Sequence, residues 1–224
     1  MIYAMSDLHG CYELYRAMLE KIRFGNDDTL YVLGDCVDRG PEGIRIVRDL
    51  AARDNVRLLC GNHEYTAMTL LSALEDTEDG GFPQKLCDIL AAWFCDGGVS
   101  TATEFLRLAD DERSRVLAFL RALPFFQKIE VNGKPYLLAH TVPEKEKIDD
   151  AKPVDFVIGE PDYDSRYFDD VTIVTGHTPT ALIDMASRGR IWRENGHIAL
   201  DCGAVFGEGL GCICLDTMQE FYVK

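Results

Sequence analysis

The sequence predicts an α/β fold, two β-sheets packed together with helices outside. Three observations predict it. Apolar runs in "MIYAMSD", "TLYVLGD" and "VRLLCGN" are nearly unbroken, as in strands covered on both faces. Each is followed by residues at helical spacing, so strand and helix alternate over the first third of the chain. After residue 125 the period shortens to that of hairpins and short strands.

Taken in order, the first strand leads into a helix carrying Leu14, Met18, Leu19 and Ile22 on one face. The second strand precedes a helix over 42–53 begun by Pro41, and the third precedes a helix over 63–75. Residues 76–83, "DTEDGGFP", read as a loop. The stretch 84–122 reads as helical, with a break at "CDGGVS" and an exposed "DDERSR" face. It is expected to be a helical insertion or cap, at about 76–125, within one domain spanning 1–224. "FFQKIEVNGKPYLLAH" predicts a hairpin turning at Asn132-Gly133, a pair suited to a type I′ turn. "VTIVTGH", "ALIDMA", "RIWRENGHIALD", "GCICLD" and "EFYVK" are expected to be further strands. No repeat or low-complexity segment interrupts them.

Composition narrows the function. The 23 Lys and Arg stand against 38 Asp and Glu, a net charge of −15. Such a surface repels polyanions and argues against a nucleic-acid partner. No apolar run is long enough to span a membrane, and the N-terminus lacks a signal-peptide layout, so a cytoplasmic protein with no membrane partner is expected. The 8 cysteines form no CxxC pair, and several lie in apolar runs where a reduced thiol packs as a small hydrophobe. The spacing of Gly207, Gly209 and Gly211 resembles a nucleotide loop, but it falls too near the C-terminus for a βαβ unit to follow.

The polar residues that end the strands carry the chemistry. Asp7 and His9 follow the first strand, Asp35 the second, Asn62 and His63 the third, His140 and His177 later ones. In open α/β sheets the C-terminal strand ends form the ligand crevice, so these scattered groups converge. Carboxylate, imidazole and amide oxygen together suit Mn, Fe or Zn better than an all-oxygen magnesium site. The set is too large for one ion that also holds water and fits two ions sharing a carboxylate. A cation also explains how Asp35 tolerates burial at the end of an apolar strand. Singly, each element has a plainer explanation: Asp-x-His and Gly-Asn-His occur as ordinary turns, and His197 beside Asn195-Gly196 is assigned to that class. Agreement among five strand ends is what turn chemistry does not explain.

Three blocks, Asp7-Leu8-His9-Gly10, Gly34-Asp35-Cys36-Val37-Asp38-Arg39-Gly40 and Gly61-Asn62-His63-Glu64, resemble the signature of the phosphoprotein phosphatase branch of the calcineurin-like metallophosphoesterases. His140, Gly176-His177-Thr178 and "LDCGAVFGEGLGCICLD" extend the likeness to bacterial and phage members. The resemblance implies a four-layer sandwich, two central β-sheets flanked by helices. It implies two divalent metal ions, manganese ahead of iron or zinc. Asp7, His9 and Asp35 would hold one, and Asp35, Asn62, His140 and His177 the second. It further implies His63 as general acid paired to Asp38, Arg39 as bidentate phosphate clamp, Asn62 as a substrate contact as well as a ligand, and in-line attack on phosphorus by a metal-bridging hydroxide.

Two positions depart from the family pattern. Thr141 and Val142 follow His140 where Ala-Gly is usual, and Glu160 stands where bacterial members place a second phosphate-binding Arg. Either Arg166, or one of Arg188 and Arg190, takes its place, or efficiency toward phosphomonoesters falls, and the reversed sign at Glu160 favours the fall. The resemblance thus implies a metal-dependent phosphomonoesterase for phosphoserine and phosphothreonine in proteins and for small phosphomonoesters. A dinucleoside polyphosphate hydrolase and a weakened phospho-binding module are the alternatives.

Overall fold

A computed structural model of the chain describes residues 1–75 and 83–224. Strands β1 (Ile2–Met5), β2 (Thr29–Val32) and β3 (Val56–Leu58) are joined by helices α1 (Tyr12–Lys21) and α2 (Gly43–Ala51), and α3 (Asn62–Glu75) follows β3. The alternation of apolar run and amphipathic helix produces this parallel trio, because β-α-β crossovers place helices over the sheet. Then come helices α4 (Gln84–Trp93), α5 (Val99–Leu106) and α6 (Asp110–Arg121). The loop expected over 76–83 lies, but for Pro83, outside the described residues.

The hairpin of β4 (Phe126–Val131) and β5 (Lys134–Ala139) turns at Asn132 and Gly133, both with positive φ, as the Asn-Gly pair predicts. A short helix α7 (Asp155–Ile158), β6 (Thr172–Thr175), a short helix α8 (Thr180–Ile183), β7 (Trp192–Glu194), β8 (His197–Ala199), β9 (Leu210–Cys214) and β10 (Glu220–Val223) complete the chain. One expectation fails. "ALIDMA" is not a strand: it forms the end of α8 and, over Met185–Ser187, a 3-10 turn. Pro179 immediately precedes α8 and lacks an N–H for a sheet ladder, and the Asp184 side chain accepts the Ala186 N–H instead.

One sheet has the order β10-β9-β1-β2-β3 and the other β4-β5-β6-β8-β7. Alternation along the strands makes the layers. Ala4, Leu33, Leu59, Leu138, Val174 and Ile213 meet between the sheets. Tyr3, Met5, Leu30 and Val32 pack on the helical side, in one cluster with Leu50 of α2, Leu71 of α3, Phe105 of α5 and Leu120 of α6. Leu137, Ala139 and Ile173 face outward onto Phe156 of α7. This is the four-layer sandwich, and α5 and α6 share the core of α2 and α3. None of the 8 cysteines is in a disulfide, and among the described residues no helix is long and apolar enough to cross a membrane.

Leu138 is fully buried between the sheets. Leu138→Ala is expected to lower unfolding stability by about 2–5 kcal/mol, measured by denaturant titration, because an inter-sheet cavity can collapse only partly.

Candidate active site

Loops leaving the strand ends are tied to one another by their backbones. The Asp7 N–H donates to Gly34 O at 3.1 Å, the His9 N–H to Asp35 O at 2.8 Å, and the Gly176 N–H to His140 O at 3.0 Å. Asp7, His9, Asp35, Asp38, Arg39 and His177 all have positive φ, between 39° and 68°. Left-handed backbone is costly outside glycine, and its concentration in one place marks loops shaped by their side chains' task.

Glu64 fastens this crossing from below. It lies fully buried in the first turn of α3. Its Oε2 accepts the N–H groups of Asp35 (2.7 Å) and Gly61 (3.0 Å), and its Oε1 those of Cys36 (2.7 Å) and Val37 (3.2 Å). Burial and the adjacent Asp35 push its pKa up to about 7, while the N–H donors oppose the shift.

Around Asp35 the metal-ligand set converges. Asp35 Oδ2 is 3.4 Å from His140 Nε2 and 3.6 Å from His9 Nε2. Asn62 Oδ1 is 2.9 Å from His140 Nε2 and 3.0 Å from His177 Nδ1, and those two nitrogens are 3.1 Å apart. Asp7 lies beside them, its carboxylate accepting the His177 N–H at 3.0 Å. The groups His9, Asp35, His63 and Asp35, His140, His177 each bring ligand atoms within 4.8 Å of one another.

The outer hydrogen bonds test whether cations fit. His140 Nδ1 donates to Leu33 O at 2.8 Å and His9 Nδ1 to Val37 O at 3.0 Å. In the neutral rings both Nε2 atoms therefore present lone pairs to the centre, facing a carboxylate and an amide oxygen. Acceptors so crowded require positive charge between them. In the metal-free protein a proton takes that place: burial disfavours imidazolium at His140, but Asp35 outweighs it and pushes the pKa up to about 10. Asp35 sits well below the usual carboxylate range, because His140, His63 and His9 overcome its burial.

His63 faces the same centre from α3. Its Nδ1 donates to Asp38 Oδ2 at 2.7 Å, leaving Nε2 to accept from Arg39 Nη2 at 3.0 Å. Burial lowers the His63 pKa, but the Asp38 hydrogen bond and the Asp35 charge reverse the sign and the net shift is upward. Arg39 Nη1 reaches His9 Nε2 at 2.9 Å. Asp38 is itself held by α4 and α5: Trp93 Nε1 donates to Oδ2 at 2.8 Å and Thr101 Oγ1 to Oδ1 at 2.6 Å. The Gly97 carbonyl accepts the Arg39 N–H at 3.0 Å, from a kink whose φ of 100° only glycine adopts readily.

The fold thus gathers Asp7, His9, Asp35, Asp38, Arg39, Asn62, His63, His140 and His177. It does not bring Arg166 to them. That guanidinium donates to the carbonyls of Phe168 (2.9 Å) and Asp169 (2.7 Å) and packs on Gly196. The Gly196 carbonyl pairs with Ile173 N near the start of β6, the end away from His177. The candidate substitute Arg166 is thus committed to backbone oxygens. Arg188 pairs with Glu208 at 2.7 Å, Arg190 lies over the Tyr222 ring, and Glu160 is exposed close to Lys147. His197 is a core histidine: Nε2 meets Thr175 Oγ1 at 2.8 Å, and burial pushes its pKa down to about 3. Trp93, Asp96, Thr101 and Phe206 are the residues sequence reasoning missed. Phe206 is exposed, its ring 6.0 Å from Arg39 Cζ.

The model of the calcineurin-like phosphoesterase family matches residues 1–207. The chain belongs to this family. Relatives similar to it include a symmetrical bis(5'-nucleosyl)-tetraphosphatase of Buchnera aphidicola subsp. Acyrthosiphon pisum (strain 5A), 37% identical over 78 residues, which are 34% of this chain and 28% of the relative. Serine/threonine-protein phosphatase 2 of Salmonella typhimurium is 32% identical over 157 residues, 69% of this chain and 64% of the relative. The chain therefore matches less than two thirds of either relative's length. Among solved structures, that of a candidate diadenosine tetraphosphatase superposes with a TM-score of 0.68 at 19% identity, covering 99% of this chain and 92% of the other. At that identity the likeness speaks for the fold.

Two outcomes follow from this geometry. Glu64→Gln turns one acceptor into a donor facing N–H groups, so a stability loss of about 1–3 kcal/mol is expected by thermal or chemical denaturation. Without metal, His140 has a folded pKa raised above its unfolded value of about 6.5. Its contribution is complete below pH 6.5 and lost as pH rises toward about 10. Chelated protein should lose melting temperature across that window, and metal-loaded protein should not.

Proposed function

We propose that this calcineurin-like phosphoesterase is a dinuclear metal-dependent phosphomonoesterase, acting on phosphoserine and phosphothreonine in proteins. The observation that carries the proposal is the Asp38–His63 pair, whose Nε2 faces the metal-ligand set beside Arg39. Expelling a serine or threonine alkoxide needs a proton, whereas a nucleotide leaving as a phosphate anion needs none. A histidine with a raised pKa, oriented by a buried carboxylate, supplies that proton.

Asp7, His9 and Asp35 would hold one cation, and Asp35, Asn62, His140 and His177 the other. Bound there, the cations supply Lewis acidity that activates water toward phosphorus and offsets phosphate charge. Arg39, whose two terminal nitrogens reach His9 and His63, would turn them to the phosphate oxygens and hold the ester beside His63. His63, protonated at Nε2, gives its proton to the leaving oxygen. Asp38 keeps the ring in the tautomer and orientation for that transfer, and Trp93 and Thr101 keep Asp38 in place. A second reading, hydrolysis of dinucleoside polyphosphates, is favoured by the relatives named as tetraphosphatases.

With manganese added, phosphoserine and phosphothreonine peptides should be turned over faster than diadenosine tetraphosphate. ADP release outpacing phosphate release from peptides would favour the second reading. His63→Ala is expected to lower kcat by about 10²–10⁴ with metal content intact, whereas Asp35→Ala should empty the site. Loss of metal from the His63 variant would contradict the role given to His63.

A further inference from the structure

A carboxylate that the mechanism does not use lies on the phosphate clamp. Asp96 Oδ1 is 3.4 Å from Arg39 Nη2, and its Oδ2 is 3.8 Å from His63 Nε2. Its backbone is not free to drift. The next residue, Gly97, lays its carbonyl on the Arg39 N–H, and a Cβ built on Gly97 would be 2.5 Å from that nitrogen. A Cβ on Gly98 would strike the Trp93 ring at 2.3 Å, so the kink is wedged between the clamp and the tryptophan that holds Asp38. The side chain is 60% exposed.

We propose that Asp96 sets the charge class of substrate this site accepts, by competing with the phosphate for Arg39 and repelling a second negative charge on it. The inference rests on the phosphoesterase reading of the site. A terminal phosphomonoester presents a dianion, whereas a diester or an interior anhydride phosphate presents one charge. Both meet the same Asp96 charge within a few ångströms, and the dianion meets it with one charge more. At the intermediate dielectric of a half-exposed site, that extra charge is worth about tenfold in affinity. Asp96 thus narrows the advantage of monoesters over singly charged phosphates. Glu160, where the sequence alone placed a reversal of charge, is exposed close to Lys147 instead.

The test uses the full chain loaded with manganese, metal content verified, as wild type and as Asp96→Asn and Asp96→Ala. kcat/KM is measured at about pH 8 for p-nitrophenyl phosphate, a dianion, and bis(p-nitrophenyl) phosphate, a monoanion, and the Kd of inorganic phosphate by calorimetry. Both variants should raise kcat/KM for both substrates, mainly through KM, and about tenfold more for the monoester than for the diester. Phosphate affinity should rise by a factor similar to that for the monoester. An unchanged ratio of the two substrates, or equal changes in both, would overturn the proposal. Should the wild type hydrolyse neither substrate, the phosphoesterase reading fails. The phosphate Kd then decides alone, and equal values in wild type and variants would overturn the role of Asp96.

Discussion

A buried carboxylate facing lone pairs is the constraint from which the site follows. Asp35 ends a strand in the interior, and around it His9 and His140 have their other ring nitrogens committed to the carbonyls of Val37 and Leu33. With Asn62 turning its oxygen inward as well, nothing in this shell except positive charge relieves the crowding of acceptors. The cost of assembling it is met partly by Glu64, which gathers four loop N–H groups beneath Asp35, and partly by sheet packing, which holds the loops in left-handed backbone. Cation binding and the shape of the loops are thus two sides of one arrangement.

Chemistry is divided between the two parts of the helical layer. The strand ends and α3 supply the cluster around Asp35 and His63, while α4, α5 and the kink between them supply orientation: Trp93 and Thr101 hold Asp38, and Gly97 holds the backbone of Arg39. Because α5 and α6 pack into the core of α2 and α3, a disturbance of these helices reaches His63 through Asp38 without touching Asp35, His140 or His177. The same rigidity fixes Asp96 beside Arg39 and gives one exposed carboxylate its leverage over substrate charge.

Much of this is legible in the sequence because strand ends are marked by local chemistry. Unbroken apolar runs ending in Gly-Asp or Gly-Asn-His announce both the buried strand and the polar group at its tip, and Asn132-Gly133 announces its hairpin. "ALIDMA" misleads because its apolar alternation fits a strand, while Pro179 just before it and the Asp184 cap favour helical turns. Trp93 and Thr101 are silent in the sequence: they stand 55 and 63 residues from Asp38, and a tryptophan or threonine in an amphipathic helix reads as packing. Arg166 misleads in the opposite way, for its charge suggests phosphate while the fold gives it two backbone carbonyls at the far end of β6.

The most direct measurement is anomalous diffraction from crystals of the chain grown with manganese. Two peaks are expected, one bounded by Asp7, His9 and Asp35 and the other by Asp35, Asn62, His140 and His177, with Asp35 touching both. Ordered protein with no peak in this cleft, or peaks held by other side chains, would contradict the account.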